Sequence, residues 1–219
     1  QELAHVLEEA EKKVYELTAH GSGSQRLIGL NEMMEETWAR IEKLSESKEG
    51  VRGVPSGFKD LDKKLSGFQK SDLIILAARP SVGKTALALD MARNAAVHHG
   101  VPVAIFSLEM SRQQLVDRML ASQSQVDAWK LRTAPHLLSI DDELGRLQQG
   151  MHELMQAPIF IDDKPANTVM NMRSVLRRLN TDKPIGLIIV DYLQLMGTTK
   201  SYDNMVNQVT DISRSLKAL

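Results

Sequence analysis

The segment best equipped for chemistry is Ala78-Arg79-Pro80-Ser81-Val82-Gly83-Lys84-Thr85. A short loop closing on Gly-Lys-Thr, after an apolar run and before an amphipathic one, is the pattern of a phosphate-binding loop. In such a loop the backbone N–H groups, together with those of the following helix N-terminus, converge on phosphate oxygens, and the helix dipole adds to the attraction. Lys84 is placed to reach the β- and γ-phosphates and the Thr85 hydroxyl to hold Mg²⁺, so ATP and Mg²⁺ are the expected ligands. The first position of the loop, usually glycine, is Ala78. Alanine has no easy access to positive φ, so an ordinary backbone conformation is expected there.

A second candidate is Asp191, which ends the apolar run Leu187-Ile188-Ile189-Val190. An acid at the end of a buried strand emerges at the sheet edge, where it can sit beside Mg²⁺. Hydrolysis also needs a group to orient or deprotonate water. Many ATPases of this type carry a glutamate directly after that aspartate, but here the slot holds Tyr192. The candidate base is instead Glu109, delivered by the run Val101–Leu108. In a parallel sheet the end of that strand faces the same crevice as Lys84 and Asp191. The plainer reading of Glu109 is a residue that leads into the next helix, with Ser111 as its cap. Gln194 is a weaker candidate, as a sensor of the γ-phosphate.

Other polar groups need no function. Asp162-Asp163 reads as a turn before a helix capped by Asn167 or Thr168. His98-His99 reads as a solvated helix end before Gly100. Arg173, Arg177 and Arg178 read as a solvated helix face rather than a basic patch.

These residues need a scaffold that brings strand ends together. From Asp72 onward, short apolar runs at Leu73–Ala78, Val101–Leu108, Pro158–Ile161 and Leu187–Val190 alternate with longer segments. The helix-like segments lie near Thr85–Val97, Gln113–Ser122, Asp141–Met155, Val169–Leu179 and Val209–Leu219. That alternation predicts an α/β fold, a mostly parallel sheet with helices on both faces. Upstream, Leu3, Leu7, Ala10, Val14 and Leu17 mark an amphipathic helix. Ala19–Ser24 reads as a flexible joint, and a further helix covers about Leu30–Ser45. The expected organisation is a helix over residues 1–18, a joint and helical connector over 19–52, and an ATPase domain over 53–219.

The composition narrows the classes. With 27 basic and 28 acidic residues the net charge is −1, so any contact with nucleic acid must be local or built by assembly. The absence of cysteine excludes disulfides and cysteine-ligated metals and suits a cytoplasmic setting. No apolar run is long enough for a bilayer, and Gln1 opens on a charged stretch rather than a signal peptide.

Taken together, Gly53-Val54-Pro55-Ser56-Gly57-Phe58, Ser71–Ile75, Ala78–Thr85, Phe106-Ser107-Leu108-Glu109-Met110, Asp191-Tyr192-Leu193-Gln194-Leu195 and Ile212–Lys217 closely resemble the bacterial DnaB-type replicative helicases. The resemblance runs from about Gly53 to Leu219. It implies a RecA-like P-loop domain, a homohexameric ring, ATP-driven movement on single-stranded DNA, and primase and helicase-loader partners. It also implies that the first helix packs on a neighbouring subunit as a linker, and it assigns Lys84, Thr85, Asp191 and Glu109 the roles read above. In the family, an arginine that completes a neighbour's ATP site follows the region matched here, as does part of the DNA-contacting loops. The 219-residue chain alone is therefore expected to bind nucleotide but unwind little. Competing readings are another RecA-like ATPase of recombination or repair, a P-loop small-molecule kinase, and a non-catalytic module with a structural nucleotide.

Overall fold

The computed structural model describes residues 29–46, 52–134, 136, 142–197 and 204–219. It divides into two units, residues 1–48 and 49–219. In the first, the described element is helix α1, Leu30–Glu46, close to the expected Leu30–Ser45. Leu30, Met33, Met34, Trp38 and Ile41 recur at helical spacing along it. The helix expected over Leu3–Leu17 and the joint at Ala19–Ser24 lie outside the described residues.

The second unit opens with a tightly bonded knot. Val54 bridges Phe68, and the Asp62 carboxylate on α2 (Lys59–Leu65) accepts from the backbone N–H groups of Ser56, at 2.9 Å, and Gly57, at 3.2 Å. A buried carboxylate is tolerable only with such donors. Gly57 has φ +84°, and a Cβ there would lie 2.1 Å from the Asn94 side chain, so both backbone and space require glycine.

The core is a three-stranded parallel sheet of order β2-β1-β3, formed by β1 (Val103–Ser107), β2 (Ile159–Asp162) and β3 (Leu187–Asp191). β1 is central and buried along its whole length. Its alternate residues serve two cores, as the period of two dictates. Val103 and Ile105 pack with Leu89, Ala92, Ala95, Ala96, Leu115 and Met119. These come from α3 (Lys84–Arg93), its π-helical continuation Asn94–His98, and α4 (Arg112–Ser124). Ala104 and Phe106 face the other way, onto Met172 and Leu176 of α7 (Val169–Asp182), Met196, and Ile212 of α8 (Met205–Lys217). Between α4 and β2 lie α5 (Ala128–Thr133) and α6 (Glu143–Gln156). The sheet is thus covered on both faces, the arrangement that the unbroken apolar runs require.

One expected strand is absent. Residues 72–79 join no ladder, and Leu73, Leu76, Ile74 and Ile75 are 37–59% exposed. The apolar run satisfies the pattern of a strand but not its energetics. No face of it is buried here, and parallel pairing at a sheet margin offers little to offset the cost of ordering the chain. β3 is correspondingly an edge strand, with Ile188 exposed. The short helices α2 and α5 and the π-helical segment are too brief to show a sequence period. No helix among the described residues is long and apolar enough to cross a membrane.

Candidate active site

The parallel register sets the site. Ser107, the last residue of β1, pairs with Asp191, the last residue of β3. The ladder then extends one bond further, from the Leu108 N–H to the Asp191 carbonyl at 2.7 Å. Both strands therefore release their next residues at one edge of the sheet, and α3 begins at that same edge.

The phosphate-loop candidates Ala78, Arg79, Pro80, Ser81, Val82 and Gly83 are all exposed. Ser81 and Gly83 take positive φ, 65° and 102°. Ala78 does not, in keeping with the ordinary conformation expected of alanine. Nothing approaches within 4 Å of a Cβ built on Gly83, so its backbone angle, not crowding, demands glycine. Gly83 is the N-cap of α3 and brings no side-chain cap, and the first turn holds no acidic residue. Among the described residues neither the cap nor a first-turn acid supplies an acceptor to the N–H groups of that turn, the condition in which a helix N-terminus takes an anion.

Lys84 and Thr85, the first residues of α3, both turn to Asp191, which lies 106 residues beyond Thr85 in sequence. Thr85 Oγ1 donates to Asp191 Oδ2 at 2.6 Å, and Lys84 Nζ lies 3.1 Å from Asp191 Oδ1. Asp191 is 8% exposed, and these two partners offset the cost of burying its polar atoms. Lys84 Nζ also sits 4.3 Å from the centre of the Tyr192 ring, an arrangement in which the ring's negative face attracts the ammonium. The Asp191–Tyr192 peptide is cis.

The donor set suits a hard cation. A hydroxyl and a carboxylate oxygen meet at 2.6 Å, and the described residues hold no cluster of three or more His, Cys, Asp or Glu. Mg²⁺ is commonly held by one or two protein oxygens with the rest supplied by phosphate and water, so the residues present fit it.

Glu109 follows Leu108 at the same edge, exposed, and its side chain makes no hydrogen bond or ion pair among the described residues. The helix after it starts at Arg112, with Ser111 as its cap and Gln114 completing a capping box. Glu109 therefore stands outside the helix, in the turn between strand and cap. Gln194 lies in the 3₁₀ turn Leu193–Leu195 beyond Asp191, exposed.

The remaining polar groups behave as turns and helix ends. Asp163 accepts from the Arg112 backbone at 3.0 Å and from its guanidinium at 2.7 and 3.0 Å. The guanidinium bond, first, and the backbone bond hold the Asp163 carboxyl below its ordinary value. Thr168, not Asn167, caps α7. His98 and His99 end the π-helical segment in solvent. Arg177 and Arg178 are exposed, while Arg173 donates to the Ala218 carbonyl at 2.8 Å. Sequence reasoning missed the ring of Tyr192 under Lys84 and the hold of Arg112 on Asp163. The first had a signal, an aromatic residue beside the acid. The second had none, because its partners come from different strand ends.

Residues 53–219 match the model of the DnaB-like helicase C terminal domain. Over its whole length the chain is 43% identical to the replicative DNA helicase DnaB of Geobacillus stearothermophilus and 41% identical to the replicative DNA helicase DnaC of Bacillus subtilis. It spans 47% of each of these relatives, about half their length. Among solved structures, one described as an ATPase domain superposes with a TM-score of 0.81 at 30% identity, over 88% of this chain and 67% of that one. A DnaB-like replicative helicase, described with its interactions with primase, superposes at 0.78 and 28% identity, over 97% of this chain and 48% of that one. The fold is accordingly the RecA-like one, and the chain belongs to the DnaB-like helicase C-terminal domain family.

Proposed function

We propose that this domain is the ATP-driven motor of a replicative DNA helicase, hydrolysing ATP to translocate on single-stranded DNA and unwind duplex at the fork. The observation that carries the proposal is the meeting of Lys84, Thr85 and Asp191 at the strand edge that also delivers Glu109. The N–H groups of the loop Ala78–Gly83 and of the first turn of α3 hold the triphosphate. Lys84 shifts its ion pair from Asp191 to the β- and γ-phosphates as they arrive. Thr85 and Asp191 supply oxygen ligands to Mg²⁺, which when bound offsets charge on the phosphates. Glu109 orients the attacking water and accepts its proton. Gln194, three residues beyond Asp191, is the proposed sensor that relays γ-phosphate occupancy.

The near-neutral charge favours a homohexamer, in which a modest DNA-contacting surface is repeated around one channel. Residues 1–18 are proposed as the linker helix that packs on a neighbouring subunit, residues 19–52 as joint and connector, and residues 53–219 as the motor. Primase and a helicase loader are the proposed partners, in the cytoplasm. The relative solved with its primase interactions supports the first of them.

The test is steady-state ATP hydrolysis by the intact protein with and without single-stranded DNA, for wild type, Lys84→Ala and Glu109→Gln. DNA-stimulated turnover lost in both variants is the expected result. Turnover indifferent to DNA would point to a small-molecule kinase or a structural nucleotide, and full activity in Glu109→Gln would remove it as the base.

A further inference from the structure

We propose that Ser107 is a positioning residue whose hydroxyl sets where Glu109 stands relative to Asp191. The inference rests on the reading of Glu109 as the water-activating group. Ser107 is 2% exposed, and a hydroxyl taken that far from water is costly unless both its donor and acceptor functions are used. Here one residue uses both. Ser107 Oγ donates to the Met110 carbonyl at 2.7 Å and accepts from the Met110 N–H at 3.2 Å.

The residue on the other side of Glu109 is fixed too, since the Leu108 N–H donates to the Asp191 carbonyl at 2.7 Å. Glu109 is thus carried between two clamped neighbours, one tied to the backbone of Asp191 and one to the strand residue paired with Asp191. Its own side chain is exposed and has no partner to aim it among the described residues, so the turn has to do the aiming. The Ser107 bonds are not needed to start the following helix. α4 has its own cap in Ser111, whose hydroxyl accepts from the Gln114 N–H while the Gln114 side chain accepts from the Ser111 N–H. What Ser107 adds is the place of residues 108–110. A base displaced by about 1 Å loses roughly a hundredfold in rate, so the turn is a sensitive point.

The test uses the intact protein and measures kcat and KM for ATP hydrolysis, binding of a fluorescent ADP analogue, and thermal melting. Ser107→Ala is expected to lower kcat by roughly ten- to hundredfold while KM and ADP affinity stay near wild type. Ser107→Thr, which keeps the hydroxyl, is expected to restore most of the loss. In a Glu109→Gln background Ser107→Ala is expected to cost nothing more, because the two act as a unit. If the alanine variant does not fold, Ser107→Thr and Ser107→Val, close in volume and differing in the hydroxyl, carry the same comparison. Wild-type kcat in Ser107→Ala, or in Ser107→Val, overturns the proposal and leaves Glu109 as the base. An equal loss in both backgrounds also overturns it, since Ser107 would then act on something else. Full turnover in Glu109→Gln alone removes the base itself, and this inference with it.

Discussion

Two strands of the sheet end in aspartate at the same edge, and the two ends do different things. At the end of β3, Asp191 is buried and meets Thr85 and Lys84, both at the start of a helix whose N-terminal N–H groups stand open. At the end of β2, Asp162 accepts from the Lys164 N–H at 2.9 Å and the Asn167 side chain at 3.2 Å. Its neighbour Asp163 is fully engaged by Arg112. The partners of Asp191 are a hydroxyl and a flexible ammonium, groups that can be shared with a phosphate or a cation. The partners of Asp162 and Asp163 are backbone N–H groups, an amide and a planar fork, which hold one geometry. Sequence alone presents the same sign, an acid after an apolar run, in both places. The function of each follows from what its lone pairs already hold.

Substitutions can break that contrast in turn. The largest effect is expected at the β3 edge: Glu109→Gln and Lys84→Ala should each lower DNA-stimulated ATP turnover by roughly 10²–10⁴-fold, measured at saturating ATP where solubility allows. Asp191→Asn should raise the Mg²⁺ concentration needed for half-maximal turnover by roughly ten- to hundredfold, read from a Mg²⁺ titration. An unshifted titration would mean that Asp191 holds only Lys84. Asp163→Asn, at the β2 edge, should leave kcat within about fivefold of wild type, because the ion pair it loses is half-exposed and open to solvent on its Arg112 side. A loss as large as that of Asp191→Asn would erase the distinction between the two edges.

The smallest effect is on pH dependence. The Asp163 carboxyl titrates below its ordinary value of 3.8, chiefly through the Arg112 guanidinium bond. Its contribution to stability is therefore present above that ordinary value and is lost as pH falls through the lower folded one. The melting difference between wild type and Asp163→Asn should stay constant from neutral pH into mild acid and shrink only below the ordinary carboxylate range. A difference that grows on acidification would contradict the assignment.

Much of this was readable beforehand because it depends on local pattern. The apolar runs Val101–Leu108, Pro158–Ile161 and Leu187–Val190 carry the parallel strands Val103–Ser107, Ile159–Asp162 and Leu187–Asp191. Each long helix after Lys84 formed within a few residues of its expected span, since caps such as Ser111 and Thr168 and the amphipathic period act over one or two turns. The run Leu73–Ala78 failed as a strand because strand pairing is decided by a partner's edge and by the cover on its faces, neither of which is local.

The sequence by itself determined the chemistry on offer: a Gly-Lys-Thr loop at a helix start, acids after apolar runs, and a glutamate where a strand gives way to a cap. Only the tertiary structure decided which of these meet. Pairing Ser107 with Asp191 aligned two strand ends that lie far apart in the chain. That alignment released Glu109 at the edge where Asp191 ends, brought Lys84 and Thr85 onto the Asp191 carboxylate, and left Asp163 to Arg112. The physical reason is that hydrogen bonds and ion pairs act over a few ångströms, and it is the register of the sheet that determines which side chains fall within that reach.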